Sequence, residues 1–277
     1  MIDPRTDRVL ITGAAGAIGT ALRQGLRGRW QKLRVTDRRP ITDAGSNEQA
    51  VAADITDRAA MEDLMQGVAA LVHLAGAGAG DLETLFSANV RGLFDVFEAA
   101  RLAGVQRFVF ASSNHAFGCY PIGVAVTPAH PPRPDTLYGA FKVLGEVMLR
   151  NYYDRHGITS VSMRIGTYRP LPIDQRSLAT WLSPADMVQM VEKSLLHPDP
   201  GCLVVNGYSA NTRIRTADPN WAFLGYRPVD DAERHIDLLR GMGVDVDGPW
   251  EWPEHGGSFA RDPERPARAA GGSSRKR

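Results

Sequence analysis

The sequence predicts an α/β protein built on a doubly wound parallel sheet, with a small loop-rich region following it. Short apolar runs typical of buried strands alternate with helical periodicity between residues 9 and 165, and parallel strands require crossover connections of this kind. A glycine-rich stretch joins the first strand to the first helix, at the edge where such sheets bind ligands. No internal repeat is visible.

Six strands alternate with helices in this predicted core. We expect strands at residues 9–12, 33–36, 51–53, 71–74, 108–111 and 160–164. We expect helices at residues 18–26, 58–65, 85–103 and 138–153, the third ended by Gly104 in a C-cap position. Beyond residue 165 prolines weaken the pattern, and only a helix at 186–196 and a strand at 203–205 are expected.

The composition is that of an ordinary globular protein. Of 277 residues, 43% are apolar and 23% are charged, and a formal net charge of +1 creates no field that attracts nucleic acid or an anionic membrane. Cys119 and Cys202 form neither a disulfide framework nor a metal-ligand spacing, so no metal is expected. Since no apolar run has membrane length and no signal-peptide core follows the start, the expected location is the cytoplasm.

The stretch GAAGAIG at residues 13–19 predicts a dinucleotide-binding loop. Gly13 permits a tight turn, Gly16 lets backbone N–H groups approach a pyrophosphate, and Gly19 permits close packing of helix on strand. The helix N-terminus adds the positive end of its dipole for the phosphates. A strand precedes the loop and a helix follows it, which favours a Rossmann-type nucleotide site over a simple turn.

Asp37 ends the second strand at the distance expected for a carboxylate that binds the adenosine ribose. Its charge repels a 2′-phosphate, which favours NAD over NADP as the cofactor. Arg38 and Arg39 leave that preference open, because a guanidinium beside Asp37 could accommodate the phosphate. The alternative is that both arginines are simply solvated.

Other candidate cofactor contacts follow the strands of the predicted sheet. Asp54, after the third strand, either reaches the adenine edge or is a solvated turn residue. Ala75 and Gly76, after the fourth strand, would let the cofactor lie against the backbone. The remaining candidates lie beside these positions or at a later strand end: Ala17, Ile18, Ile55, Leu74 and Ile165.

Tyr138 and Lys142 form a Y-x-x-x-K pair on a predicted helix, where residues i and i+4 share one face. A nearby ammonium favours phenolate, and a phenolate can remove a hydroxyl proton as hydride leaves for a nicotinamide. Ser113 follows the fifth strand and can hold the reacting oxygen. The pair alone also occurs on ordinary helix surfaces, but together with the glycine loop and the serine it predicts an NAD-dependent oxidoreductase.

These motifs resemble the extended branch of the short-chain dehydrogenase/reductase superfamily. The resemblance spans about residues 9–259 through GAAGAIG, HLAG, SSNH and YGAFK. It implies catalytic roles for Ser113, Tyr138 and Lys142, and it implies that Asn89 supports the lysine beside the cofactor. It also implies that the helices at 85–103 and 138–153 can form the face of a homo-oligomer.

The chain divides into three expected parts, of which residues 1–165 form the NAD-binding domain. Residues 166–260 form a substrate-binding region interleaved with that domain as one compact unit, and residues 261–277 form a disordered tail. Extended-branch enzymes that act on sugar nucleotides carry a much longer region after the catalytic lysine. A small, unactivated substrate is therefore expected.

Several segments resemble the uronate dehydrogenase family more closely, namely VFASSNHAFGCYP, RPDTLYGAFKVLGE, VSMRIGTYRPLP, QRSLATWLS, FLGYRP and GGSFARDP. Members of that family oxidise the C1 hydroxyl of D-glucuronate or D-galacturonate with NAD, giving an aldarolactone. The resemblance implies that Arg176 binds the carboxylate of the sugar acid, which a planar guanidinium does in bidentate fashion. It implies sugar contacts for Asn114, His115 and Thr167, and a pocket-closing role for Phe259.

Each of these assignments has a plainer alternative, and the sequence departs from the family near the sugar. Arg176 could be a surface ion-pair residue, His115 could satisfy local backbone groups, and Phe259 could anchor the C-terminal segment. Gly78, in a shortened loop, stands near the position of a substrate-contacting serine, and Ala17 replaces a polar residue. The reaction class survives these changes, whereas the identity of the sugar is left open.

Two other functions stay open at this point. A related enzyme could act on another sugar, or could be an epimerase that retains its nicotinamide through turnover. A non-catalytic NAD-sensing regulator is less favoured, because such proteins commonly lose the tyrosine or the lysine that this chain keeps.

Overall fold

The computed structural model describes residues 2–216 and 218–260, which form a parallel sheet covered by helices on both faces. The strands are β1 Val9–Thr12, β2 Leu33–Asp37, β3 Glu48–Ala52, β4 Ala70–His73, β5 Arg107–Ser113, β6 Thr159–Ile165, β7 Thr167–Tyr168, β8 Trp181–Leu182 and β9 Cys202–Gly207. Seven of them form one sheet in the order β3-β2-β1-β4-β5-β6-β9, while β7 and β8 form a separate pair. The predicted α/β class with a doubly wound parallel sheet is confirmed.

Helices bury both faces of this sheet. They are α1 Ala17–Leu26, α2 Arg58–Leu64, α3 Leu82–Phe86, α4 Gly92–Leu102, α5 Leu137–His156, α6 Ser177–Thr180, α7 Pro184–Leu196, α8 Asn220–Leu224 and α9 Ile236–Gly241. Leu22 of α1 and Met187 of α7 belong to the apolar cluster on one face, and Phe97 of α4 and Leu149 of α5 belong to the other. Burial on both faces explains why the central strands are almost continuously apolar.

The order of the strands creates a crevice at one edge of the sheet. From β1 the chain adds β2 and β3 on one side, and it then adds β4, β5 and β6 on the other. Such a switch point opens a crevice at the carboxyl ends of the strands, where doubly wound sheets bind nucleotides. Ser113 and Ile165 end β5 and β6 as register partners, so the residues predicted at strand ends meet at this edge.

Two elements of the predicted core differ from the sequence prediction, and β7, β8, α6, α8 and α9 lie where no strand or helix was expected. The helix expected at 85–103 is divided, because a π-helical turn at Ser87–Arg91 separates α3 from α4. Strand β3 begins at Glu48 instead of residue 51, and it is an edge strand whose side chains are largely exposed. Its polar first residues carry no apolar signal, which is the signal that marks a buried strand in a sequence.

The segment after residue 165 joins the same sheet and lies over its carboxyl edge. Strand β9, in the region expected from residues 203–205, pairs with β6, and Trp181, Leu239 and Val246 belong to a small apolar cluster of their own. Among residues 2–216 and 218–260, no helix combines the length and the apolar character needed to cross a bilayer. The tail expected to be disordered, residues 261–277, lies outside the described residues.

A buried ion pair ties α5 to the sheet. Glu146 accepts hydrogen bonds from Arg164 Nε at 3.0 Å and Arg164 Nη2 at 2.8 Å, and the Ser112 hydroxyl donates to Glu146 Oε1 at 2.5 Å. The side chains of Arg164 and Glu146 are 3% and 7% exposed. Because Ser112 belongs to β5 and Arg164 to β6, the network fixes α5 against the strands that end at the crevice.

Replacing one partner of this pair should destabilise the fold more than replacing both. Glu146→Leu leaves the Arg164 guanidinium buried without its carboxylate, and we expect a loss of about 3–5 kcal/mol in the free energy of unfolding. Glu146→Leu combined with Arg164→Met removes both charges and should regain most of that loss. Urea unfolding of the two variants measures this, and a double variant no more stable than Glu146→Leu would contradict the role given to the pair.

Candidate active site

The glycine loop packs directly against the backbone that follows β4. Gly13 has φ +70°, and a Cβ there would lie 2.7 Å from the backbone nitrogen of Ala75. A Cβ at Gly19 would lie 2.4 Å from the Gly13 carbonyl oxygen, so neither position tolerates a side chain. Gly16 is the N-cap of α1 and supplies no side-chain cap. The first N–H groups of α1 are therefore available to an anion, and the thin loop fits a pyrophosphate.

Asp37 at the end of β2 is held in place by backbone groups around the crevice. Its carboxylate accepts hydrogen bonds from the Ala15 N–H at 3.1 Å and from the Arg39 N–H at 3.0 Å. The Arg39 guanidinium turns back to the Ala15 carbonyl at 2.5 Å, whereas Arg38 is 80% exposed and reaches Asp54 at 4.0 Å. A fixed carboxylate in this position can accept hydrogen bonds from the adenosine ribose.

The residues that follow β4, Leu74, Ala75 and Gly76, pass close to the glycine loop and to the side chains of Asn89 and Lys142. A Cβ on Gly76 would lie 2.6 Å from Asn89 Oδ1 and 3.5 Å from Lys142 Nζ. A side chain at Gly76 would therefore clash with the Asn89 carboxamide, so this position requires glycine. Ile55 lies against Gly92 on the side of the crevice nearer α4, and Ile165 is buried at the end of β6.

Ser113, Tyr138 and Lys142 come together where β5 ends and α5 begins. Thr136 caps α5 by accepting a hydrogen bond from the Gly139 N–H at 3.0 Å, so Tyr138 and Lys142 occupy the first two turns. Ser113 lies close enough to Tyr138 to lower the pKa of its phenol, against the larger effect of burial. Lys142 Nζ lies 5.4 Å from the ring centroid of Tyr138 and 5.0 Å from that of Phe110. The sequence motif therefore folds into one compact group.

Burial shifts both titrating groups of this trio. It raises the pKa of Tyr138 to about 12, an effect that the neighbouring Ser113 partly offsets. It lowers the pKa of Lys142, which is 4% exposed, to about 8. Beneath the lysine, burial and the Lys142 charge lower the pKa of His73 to about 3, so His73 is neutral and does not compete for the proton.

Asn89 is brought to the lysine by the π-helical turn. Its side-chain nitrogen donates to the carbonyl oxygens of Ala77 at 2.8 Å and Leu85 at 3.0 Å. Its Oδ1 is buried, has no hydrogen-bond partner among the described residues, and faces the same side of Gly76 as Lys142 Nζ. A π-helical turn is a frequent feature of functional sites, and here it explains the interruption of the helix.

His115 lies in a short 3-10 turn, Asn114–Ala116, directly after Ser113. Its ring is edge-on to Tyr138, with centroids 6.2 Å apart, and to Phe259, with centroids 4.8 Å apart. Nδ1 of His115 lies 2.8 and 2.9 Å from the two carboxylate oxygens of Asp135. The histidine is therefore held beside the trio by a carboxylate that sequence reasoning did not single out.

Arg176 is held between the Thr167 hydroxyl and the backbone of the C-terminal segment. Its Nε donates to the His255 carbonyl at 3.1 Å and its Nη1 to the Thr167 hydroxyl at 3.1 Å. Its Nη2 is buried without a hydrogen-bond partner, and no carboxylate of residues 2–216 and 218–260 forms an ion pair with it. The Asn114 side-chain nitrogen and the Tyr208 hydroxyl are likewise buried and without a partner within that range.

The C-terminal segment completes the walls around Arg176. Trp250, Trp252 and Phe259 line a cavity of about 110 Å³ together with Arg176. At Gly78 an added Cβ would meet no atom within 4 Å, so the position expected near the sugar is open. A serine hydroxyl would fit there without strain.

Sequence reasoning missed Asp135 and Tyr208. Asp135 stands three residues before Tyr138, in a turn where an aspartate needs no special explanation. Tyr208 follows β9, and its role depends on a β-strand at the far edge of the sheet. Neither position carries a local signal, because only the fold brings Asp135 to His115 and Tyr208 to the neighbourhood of Asn114 and Arg176.

Comparisons with known proteins agree with this geometry. A sequence model described as the NAD dependent epimerase/dehydratase family matches residues 9–169. A uronate dehydrogenase of Pseudomonas putida is 41% identical over 256 residues, which cover 92% of this chain and 96% of its own. The crystal structure of uronate dehydrogenase from Agrobacterium tumefaciens matches with a TM-score of 0.88 at 36% identity, covering 94% and 98% of the two chains. A mutant of that enzyme complexed with NAD matches with a TM-score of 0.87 at 36% identity, over 93% and 98%.

These similarities define the class of the protein as an NAD-dependent oxidoreductase. The same class is indicated by the crevice, by the carboxylate after β2 and by the trio of Ser113, Tyr138 and Lys142. The chain belongs to the NAD dependent epimerase/dehydratase family and is a homologue of the uronate dehydrogenases. The resemblance predicted from the motifs is thereby confirmed, and so is NAD as the cofactor.

The buried charge of Lys142 should reduce the stability of the cofactor-free fold. Its pKa is about 8 in the native state and 10.5 ordinarily, so between these pH values the unfolded chain binds a proton that the native chain does not. The free energy of unfolding should therefore rise with pH across that window and be lowest below pH 8, by on the order of 3 kcal/mol. Lys142→Met should be more stable than the wild type at pH 7 and should lose this pH dependence.

Lys193→Met, at an exposed position of α7, is the matched control and should change stability little. Urea unfolding between pH 6.5 and 10.5 provides the measurement. A Lys142→Met variant less stable than the wild type at pH 7 would show that the ammonium stabilises the native state.

Proposed function

We propose that this protein oxidises the C1 hydroxyl of a hexuronate, such as D-glucuronate or D-galacturonate, with NAD, giving an aldarolactone. The observation that carries the proposal is the Arg176 guanidinium, which has a buried Nη2 without a partner among the described residues and lines a cavity with Phe259, the ring in contact with His115. A buried cation whose donors are unsatisfied is costly unless an anion completes it. The carboxylate of a sugar acid is the anion that a C1-oxidising enzyme would meet here.

The trio supplies the chemistry of proton removal. NAD, when bound, supplies the acceptor that takes the C1 hydrogen as hydride. Tyr138 as phenolate takes the hydroxyl proton, so the carbon–hydrogen and oxygen–hydrogen bonds break while the C1 carbonyl of the lactone forms. Ser113, which lies beside Tyr138, holds the reacting oxygen, and the Lys142 ammonium stabilises the phenolate.

The proposal gives the remaining residues the following roles. Glycines 13, 16 and 19 with Ala17 and Ile18 hold the pyrophosphate, Asp37 with Arg38 holds the ribose, and Asp54 with Ile55 lies at the adenine. Leu74, Ala75, Gly76, Asn89 and Ile165 line the nicotinamide side. Asn114, His115 and Thr167 bind sugar oxygens, Gly78 leaves room for the sugar, and Phe259 covers the pocket.

The expectation of a homo-oligomer also stays a prediction, and it has support in exposed apolar side chains on α4 and α5, including Phe94 and Val147.

Mixing the protein with NAD and a panel of sugars should produce NADH with at least one hexuronate. The reason is that a carboxylate completes the donors of Arg176, whereas a neutral aldose leaves them unsatisfied. Absorbance of NADH at initial rate measures this, with D-glucose and D-galactose as controls. Tight binding of NAD without NADH formation from any uronate would reject the proposal, and a preference for a neutral aldose would move it to another sugar.

Arg176→Ala should raise KM for the uronate by about 100-fold, because charge-assisted hydrogen bonds to the carboxylate are lost. KM for NAD should stay within about twofold, since the hydrogen-bond partners of Arg176, the Thr167 hydroxyl and the His255 carbonyl, are not among the cofactor candidates. Arg169→Ala, at a nearby exposed position, is the matched control. Equal increases in KM for a uronate and for its neutral aldose would remove the carboxylate-binding role from Arg176.

A further inference from the structure

The Asp135 carboxylate is buried, and its main hydrogen-bond partner is the His115 ring. Its side chain is fully buried, and both oxygens lie within hydrogen-bond distance of His115 Nδ1, at 2.9 and 2.8 Å. The Thr136 hydroxyl also donates to it at 3.3 Å. An ionised carboxylate only accepts hydrogen bonds, so Nδ1 must carry the proton of the imidazole.

The edge of the His115 imidazole that carries Nε2 is the part of the ring that a substrate can reach. The His115 side chain is 16% exposed, and its Nδ1 edge faces the fully buried carboxylate, so the exposed part is the Nε2 edge. The ring stands between Tyr138 and Phe259. The hydrogen bonds of the His115 ring to residues 2–216 and 218–260 are made by Nδ1, and none is made by Nε2. With Nδ1 protonated, Nε2 of the neutral ring offers a lone pair.

The same carboxylate also fixes the backbone that closes the site. A Cβ on Gly118 or on Gly256 would lie within 2 Å of Asp135 Oδ2, at 1.9 and 1.8 Å. The Gly256 N–H donates to the Gly118 carbonyl at 2.9 Å, so the two strands of chain meet over Asp135. The aspartate thus joins His115 to the segment that carries Phe259.

We propose that Asp135 is a positioning residue, which holds His115 as its Nδ1–H tautomer so that Nε2 accepts a hydrogen bond from a hydroxyl of the substrate. The inference rests on the proposed function for the identity of the substrate, but the tautomer itself is a property of the protein without substrate. It makes the site demand a hydroxyl donor next to Tyr138. A group that can only accept a hydrogen bond is rejected at that position.

The tautomer is tested directly by long-range proton–nitrogen NMR of the protein labelled with ¹⁵N-histidine. The chain has 7 histidines, and the signal of His115 is assigned by its loss in His115→Gln. The wild type should show the Nδ1–H pattern at neutral imidazole. In Asp135→Asn the carboxamide N–H can donate to Nδ1, and the Nε2–H tautomer should appear, as happens when the aspartate of a serine protease triad becomes asparagine. In Asp135→Ala a mixture of tautomers is expected.

Kinetics give the second readout. Asp135→Asn should raise KM for the uronate about tenfold, as expected for loss of one hydrogen bond to the substrate, while KM for NAD changes little. In a His115→Ala background the same substitution should add less than about twofold, because Asp135 acts through the ring.

Two outcomes would overturn the inference. One is an unchanged tautomer in both Asp135→Asn and Asp135→Ala, and the other is an equal effect of Asp135→Asn on KM with and without the His115 ring. If the wild type oxidises no uronate, the proposed function fails, whereas the tautomer is still decided by NMR. The two failures are therefore distinguishable.

Discussion

The constraint on which this site depends is the burial of the Lys142 ammonium beneath Tyr138. A lysine that is 4% exposed among aromatic rings and a neutral histidine holds a charge where solvent does not screen it. The same low-polarity surroundings raise the pKa of Tyr138 and lower that of Lys142. In such surroundings a positive charge strongly stabilises a neighbouring anion, so under the proposed function the buried ammonium offsets the effect of burial when the Tyr138 phenolate forms.

The surrounding structure is arranged to keep that charge in place. The ion pair of Glu146 with Arg164 fixes α5 one turn beyond Lys142, and the π-helical turn directs Asn89 Oδ1 to the same side of Gly76. A side chain on Gly76 would clash with the Asn89 carboxamide, whose Oδ1 lies 2.6 Å from an added Cβ, and the φ of +157° at this position also favours glycine. Active sites commonly keep strained or buried polar groups at the expense of stability, and this one concentrates them around a single ammonium.

Much of the fold could be predicted because its signals are local. Apolar strands such as Val9–Thr12 and the glycine loop after it stand out in the sequence, and Tyr138 with Lys142 lies in one motif on one helix. The exposed edge strand β3 is predicted too short and the π-helical turn is not predicted, since neither changes the apolar period in a recognisable way. Asp135 and Tyr208 could not be found, because their significance comes from contacts with His115 and from burial near Asn114, which only the folded chain creates.

The central claim is that Tyr138, placed by the buried lysine, removes the proton from a C1 hydroxyl while the C1 hydrogen leaves as hydride. The most direct measurement is turnover of D-glucuronate or D-galacturonate deuterated at C1, with the reduced cofactor analysed by mass spectrometry. The account predicts that each molecule of NADH formed carries one deuterium, and that Tyr138→Phe loses about 10³-fold in kcat. Formation of NADH without deuterium would place the oxidation at another carbon and would contradict the account.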